Sequence, residues 1–428
     1  MTRIYISLLF LLLSMGKAGA VPAPDTQEIE SRLVKMGMED VRVAVEEGTL
    51  YLAYEDNVYR GTYRGIGAVI SMLLQEPVEM PVRLVVLSDR IPQIAVGLPE
   101  DAQRDFREGR IAWEQVVDQL SISYDTYEEM KQLQDVKMLN RSAGKVDLVL
   151  YPEVNLTNAW LDKLYGTILN ISPALEVGLW KGASVTGQVI FPVWNNMKAG
   201  EMDYIRPGML VFRQELRLPH NLFASVNVGN FNGNRIGGKA ALLYRPDNDR
   251  WAVGVDAAMT GSSTFYGGKW EVSKWNRLSG SALLRYNEPH FMLEFDLRAM
   301  RYVYGDYGVR LDCTRHFGEV SVGLYGIYTG GLANGGFHFA IPLPRQKRSN
   351  RRAVRVRLPE YFDWEYESQS GNEYARRRLG RSFETRPDEN HSRGYYNPDF
   401  IRKNLKSLRV SKDKLRSTHV IGFKNCRK

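Results

Sequence analysis

The segment Phe291–Pro344, FMLEFDLRAMRYVYGDYGVRLDCTRHFGEVSVGLYGIYTGGLANGGFHFAIPLP, decides the fold. Apolar and polar residues alternate along it in four short runs. Leu293, Phe295 and Leu297 interleave with Glu294, Asp296 and Arg298, and Val309, Leu311 and Cys313 interleave with Arg310, Asp312 and Thr314. Val320, Val322 and Leu324 make a third apolar row, and Phe337, Phe339 and Ile341 a fourth. A period of two, broken by turns such as His316-Phe317-Gly318-Glu319, is the pattern of strands with one apolar face. A soluble sandwich rarely carries Glu, Asp and Arg in a row behind such a face. In a transmembrane barrel the apolar set meets lipid and the polar set a wet lumen. The expected fold is mainly β: a C-terminal antiparallel transmembrane β-barrel of about 12–14 strands, preceded by a small α/β domain of order α-β-β-α-β-β.

The N-terminus reads as an export signal. Arg3 precedes an apolar run, Ile6–Leu13, and Ala18-Gly19-Ala20 is an A-x-A cleavage site, so residues 1–20 form the expected signal peptide. No later window approaches the roughly 18 apolar residues of a spanning helix. An exported chain of this kind enters a membrane only as a closed barrel. The two cysteines, Cys313 and Cys426, make no disulfide framework. From Arg345 onward there are 23 Lys+Arg against 10 Asp+Glu, so the formal net charge of +8 belongs to the tail. The remainder is mildly acidic, which, with export, excludes nucleic acid as a partner.

Five regions follow from the pattern: the signal peptide, a periplasmic α/β domain over 21–99, a charged helical connector over 100–144, the outer-membrane barrel over 145–344, and a basic, aromatic-containing periplasmic tail over 345–428. In the second, Asp25 and Glu28 make a capping pair, Ile29, Leu33 and Met36 share a helical face, and Gly37 closes the helix. Val41–Val45 and Leu50–Tyr54 form a hairpin about Glu47-Gly48, a second helix runs from Tyr63 to Leu74, and strands follow at Val82–Leu87 and Ile91–Leu98. Between 146 and 343 the pattern draws an odd number of ribbons, with separate ones at 162–172 and 174–181. Short turns alternating with longer loops put both barrel ends on the periplasmic side, which requires an even number. The excess falls within 157–192 or 265–274. The tail has no sustained period and is expected as a solvated segment, or one that orders on an acidic partner.

Tyr304-Gly305-Asp306-Tyr307-Gly308-Val309-Arg310-Leu311, Thr314-Arg315-His316-Phe317-Gly318 and Val320-Ser321-Val322-Gly323-Leu324 resemble the G-D-x-G-v-r-l…x-R-x-F-g…v-G-l pattern of YjbH-like proteins. Val228-Gly229-Asn230-Phe231, Arg250-Trp251-Ala252-Val253-Gly254 and Phe191–Asn196 are earlier matches. The resemblance covers most of residues 25–344. It implies an outer-membrane β-barrel associated with exopolysaccharide production and export, with periplasmic and lipoprotein components of the same system as partners. Longer members resemble two barrels in tandem, and this chain has room for one.

No phosphate-binding loop, H-E-x-x-H, cysteine cluster or G-x-S-x-G is present, and no cofactor is implied. The six histidines are scattered. His338 with Ser321 is the only hydrolase-like pair, and a plain lumen histidine fits it better. Glu294, Asp296, Arg298, Arg310 and Asp312 are expected to project inward with opposite charges pairing across strands, either as a plug or as a polar path. Trp160, Trp180, Trp194, Trp251, Trp270 and Trp275 suit interfacial girdles. Trp194, beside Asn195 and Asn196, is the best glycan-binding candidate. Gly305, Asp306, Gly308, Arg315 and Phe317 are expected to shape turns. The leading expectation is a non-enzymatic barrel in the cell outer membrane that handles polysaccharide. The rivals are a surface glycan anchor without transport and, third, a barrel lipid or glycan hydrolase.

Overall fold

The computed structural model describes residues 24–410 and 422–423, apart from 61, 77, 159–164, 197–201, 346, 348–351, 369–370 and 388–395. The expected signal peptide, Trp160, Arg351, His391, Tyr395, His419 and Cys426 lie outside the described residues.

Helix α1 (Thr26–Met36) starts where Asp25 accepts hydrogen bonds from Gln27 N and Glu28 N, and ends at Gly37 with φ 101°. These are the signals visible in the sequence. Strands β1 (Glu39–Glu46) and β2 (Thr49–Glu55) pair antiparallel across Glu47-Gly48. Helix α2 (Tyr63–Leu73) carries the chain over to β3 (Val82–Ser88), which runs parallel to β2, as a crossover connection requires. Strand β4 (Ile91–Leu98) returns antiparallel.

Residues 100–144, expected as a connector, differ. Helices α3 (Glu100–Glu108) and α4 (Trp113–Gln119) bury Ala102, Phe106, Trp113, Val116 and Val117 in the same core as Ile29, Leu33, Ile66 and Ile70. Strand β5 (Ser121–Ser123) adds a fifth strand to the sheet, in the order β1-β2-β3-β4-β5, and α5 (Tyr127–Gln132) follows. Charge density hid this. Each helix is polar on one side and spends its few apolar residues on the other.

The second sheet is large and almost wholly antiparallel. Its members are β6 (Val146–Asn158), β7 (Tyr165–Gly178), β8 (Ala183–Asn195), β9 (Arg206–Leu218), β10 (Leu222–Phe231), β11 (Arg235–Tyr244), β12 (Trp251–Tyr266), β13 (Lys269–Val272), β14 (Arg277–Glu288), β15 (Leu293–Arg301), β16 (Tyr307–Phe317), β17 (Val320–Thr329) and β18 (Leu332–Pro342), followed by β19 (Val354–Arg357) and β20 (Tyr361–Ser368). Neighbours in sequence are neighbours in space from β6 to β18, except that β13 folds back on β12 and β14 takes its place in the path. The two ribbons expected at 162–172 and 174–181 are one strand, β7. Pro173 lies between them; it pairs with Leu150 on β6, while the ladder to β8 skips Ser172 and Pro173.

The ladder ends on two strands of the tail. β20 extends β18 antiparallel and β19 extends β6 in parallel, so the sheet does not close through strand pairing. The two ends nevertheless touch, because the Trp364 indole N–H on β20 donates to Val154 O on β6 at 2.8 Å. These two strands of the tail, expected as solvated, are thus built into the sheet. After β20 comes α6 (Gly371–Arg376), and later α7 (Pro398–Lys406), capped by Asn397, buries Phe400, Ile401 and Leu405. Ile401 and Leu405 join the core of the N-terminal sheet, and the Trp113 indole donates to Leu405 O at 2.7 Å.

Candidate functional site

Alternation gives the large sheet two unlike faces. One carries Leu210, Val226, Leu242, Val255, Leu284, Leu297, Leu311 and Leu324, exposed by 42–68%. The other carries Glu294, Asp296, Asp312, Thr314 and His338, exposed by 1–5%. The usual burial rule is reversed: oil faces out and charge faces in.

Four of the five expected inward residues form one ion-pair ladder, and Glu294 joins it through Arg285, a residue the sequence reading missed. Arg285 donates to both oxygens of Asp296 at 2.7 Å and lies 3.4 Å from Glu294. Arg298 bonds Asp296 at 2.7 Å and reaches Asp312 at 3.4 Å. Arg310 grips Asp312 and then Glu365 of the tail at 2.9 Å, with its guanidinium 4.0 Å from the Tyr325 ring centre. Opposite charges pair across strands as expected, Arg285 with the directly facing Asp296 and Arg298 with Asp312, the second pair on a diagonal. Between β15 and β16, register sets Asp296 against Asp312 and Arg298 against Arg310. The charges alternate along each strand in the same phase, so attraction runs along strands and diagonally. His338 lies 3.4 Å from Thr314 Oγ1 and 3.9 Å from Asp312.

Beside this ladder is a cavity of about 630 Å³. Lys239, Asp256, Arg298 and Arg310 line its strand side, Ser88 and Gln93 its floor, and Tyr361, Arg381 and Phe383 its tail side. Residues 380–384 enter from the rim opposite the N-terminal sheet. Gly380 N donates to Asp306 Oδ2, Val303 N to Arg381 O, Glu384 N to Asn232 Oδ1, and Phe383 stacks on the inward ring of Phe231 at 5.2 Å.

The N-terminal unit covers the other rim, turn by turn. Gly182 N donates to Asp89 O, and Arg217 donates to Pro92 O and Tyr124 O. Asn397 donates to Asp249 O, and Lys403 to Pro289 O and His290 O. Glu319, 4% exposed, receives Arg60 at 2.7 Å and Arg64 at 2.6 Å. At the seam, Arg355 and Arg357 of β19 clasp Asp147 of β6, with Arg357 reaching Glu176 at 2.9 Å.

The remaining candidates separate. Trp194 is 59% exposed near the end of β8, whereas Asn196 accepts from Thr167 N and fastens that strand end to β7. Asn195 pairs with Ile168. Trp180 and Trp251 stand at the covered rim, and Trp270 and Trp275 at the other, all 40–56% exposed. Gly305 turns with φ 95°, and Gly308 lets Tyr328 O approach where a Cβ would collide. Asp306 does more than shape its turn, since it holds both Thr329 and the tail. Arg315 stacks on Phe317, which is 54% exposed on the apolar face. No group of three or more His, Cys, Asp or Glu with metal-binding geometry occurs among the described residues.

The YjbH family model, described as "Exopolysaccharide biosynthesis protein YbjH", matches residues 16–339. The chain belongs to the YjbH family. Membership associates it with exopolysaccharide biosynthesis. No curated protein and no solved structure gives a match. The match includes the inward ladder from Arg285 to Asp312 and stops short of β19, β20 and the rest of the tail.

Proposed function

We propose that this YjbH-family chain is an outer-membrane β-barrel that acts without catalysis in the secretion or assembly of an exopolysaccharide. The large sheet spans the membrane, with its β19–β20 seam closing the wall. The N-terminal unit caps the periplasmic rim and meets periplasmic and lipoprotein partners of the export system. One observation carries this reading: apolar side chains stand exposed on strands β9 to β12 and β14 to β18, and the reverse face of the sheet buries polar and charged ones, Arg235, Glu294, Asp296 and Asp312 among them. In water such a belt is an aggregation hazard, whereas in a bilayer it is the lipid-facing surface of a barrel.

The tail inside the cavity favours a second reading, a glycan platform anchored in the membrane without a continuous passage. Conductance in planar bilayers separates the two. A polymer path gives steady current from the full chain, and a sealed anchor gives none while still retaining surface polysaccharide in cells. Unchanged surface polysaccharide on loss of the whole protein overturns both.

A further inference from the structure

Several arginines on the inward side meet carboxylates: Arg285, Arg298, Arg310, Arg355 and Arg357 each do so. Arg217 instead donates to the carbonyl oxygens of Pro92 and Tyr124. Arg235, Arg277 and Arg378 form a different set. Their guanidinium carbons lie 5.4, 5.6 and 5.3 Å from the centre of a single ring, Tyr304. None forms an ion pair among the described residues. Arg235 is only 5% exposed and its Nη2 has no hydrogen-bond partner. Asp306, two residues from Tyr304, turns Oδ2 to Thr329 and Gly380, and its Oδ1 has no hydrogen-bond partner, so it makes no ion pair with the three. A phenol ring attracts each cation weakly but is neutral, so three like charges surround it without a carboxylate in ion-pair contact.

We propose that this cluster binds the carboxylates of an acidic saccharide at the outer mouth of the interior. The inference rests on the barrel reading above for its side of the membrane. Placement selects the ligand. Arg235 is opposite Phe231, whose ring is buried against the tail, and Arg277 is opposite the buried Thr260. Both alternate with outward residues such as Leu278, so lipid phosphates beside the apolar belt lie on the wrong face. Planar guanidiniums suit carboxylates, which they grip through two parallel bonds. An acidic polymer presents such groups repeatedly, and the exposed Arg277 and Arg378 meet it before the buried Arg235.

The test uses the purified full chain with hexagalacturonate as probe, maltohexaose as the neutral control and inorganic phosphate as the small-anion control. The wild type should bind hexagalacturonate with an affinity that falls as salt rises, and maltohexaose not at all. Arg277→Gln with Arg378→Gln, both at exposed positions, should weaken binding at least tenfold, and adding Arg235→Gln should abolish it. The triple variant should also unfold at a higher temperature than the unliganded wild type, because repulsion is relieved. Equal binding by wild type and variants, no binding by the wild type, or phosphate binding as tightly as hexagalacturonate each overturns the saccharide site. A destabilised triple variant that binds normally assigns the arginines to packing and overturns it too. Heat-modifiable migration of the same samples reports the barrel separately, so either conclusion can fail while the other stands.

Discussion

Asp56 opens the loop after β2 and is only 5% exposed. Burial pushes its carboxyl up to about 7, against the pull of hydrogen bonds from Tyr59 N and Val58 N. Its Oδ2 has no hydrogen-bond partner and sits where a Cβ on Gly65 would collide, so α2 needs glycine there. Between the free value of 3.8 and about 7 the folded chain keeps a proton that the unfolded chain releases. The Asp56 contribution is therefore whole below the free value and drains away as pH rises towards 7, by up to about 1.4 kcal/mol per pH unit. Asp56→Asn preserves Oδ1 as acceptor and removes the titration. Denaturation of the variant should be flatter between pH 4 and 7, and at pH 8 the variant should be the more stable protein. Glu319 makes the opposite kind of site. It is a buried carboxylate paired with Arg60 and Arg64, and Glu319→Gln takes the negative charge away from two part-buried guanidiniums. Breaking such a pair costs on the order of 3–5 kcal/mol, so limited proteolysis should release the cap from the variant first, with the strands intact.

At the scale of elements, local signals were legible wherever one residue decides a conformation. Asp25 and Gly37 bounded α1, and Glu47-Gly48 placed the first hairpin. The strands from Leu293 to Pro342 fell close to their expected ends because alternation is strongest there. The inward set Glu294, Asp296, Arg298, Arg310 and Asp312 was legible for the same reason. Register was not, so the facing like charges went unseen. Nor was Glu365, which arrives from a segment whose composition looks like a solvated tail. α7 did carry a signal, Asn397-Pro398 as cap and first turn with Phe400, Ile401 and Leu405 behind them, outweighed by the surrounding basic residues. β19 pairs with residues 208 positions earlier in the chain and β20 with residues 19 to 33 positions earlier, and short strands announce no partner. Gly336 marks where β20 needs space: a Cβ there would collide with Tyr366 O. Gly336→Val should detach β20 and expose the chain to protease after Arg345, while β6 to β17 stay protected. Unchanged protection of β20 would show that the seam does not depend on this close approach.

The whole molecule inverts a soluble protein. Its largest sheet turns its oily face outward and hides its charges, while the N-terminal unit has an ordinary core and fastens to one end of the strands through backbone carbonyls and Glu319. The tail ties both together, completing the sheet at two edges, entering the interior past Asp306, and anchoring α7 in the cap. On the barrel account, lipid supplies what the outward rows lack. Leu311, 50% exposed in the middle of β16, is the most direct probe. Unfolding of the full chain and of Leu311→Arg should be followed by heat-modifiable migration after refolding into bilayer vesicles. The account predicts a compact, heat-modifiable wild-type band that requires lipid or detergent, and a variant destabilised by about 2–4 kcal/mol. A wild-type protein that folds and stays monodisperse in plain buffer, with Leu311→Arg unchanged, would contradict it.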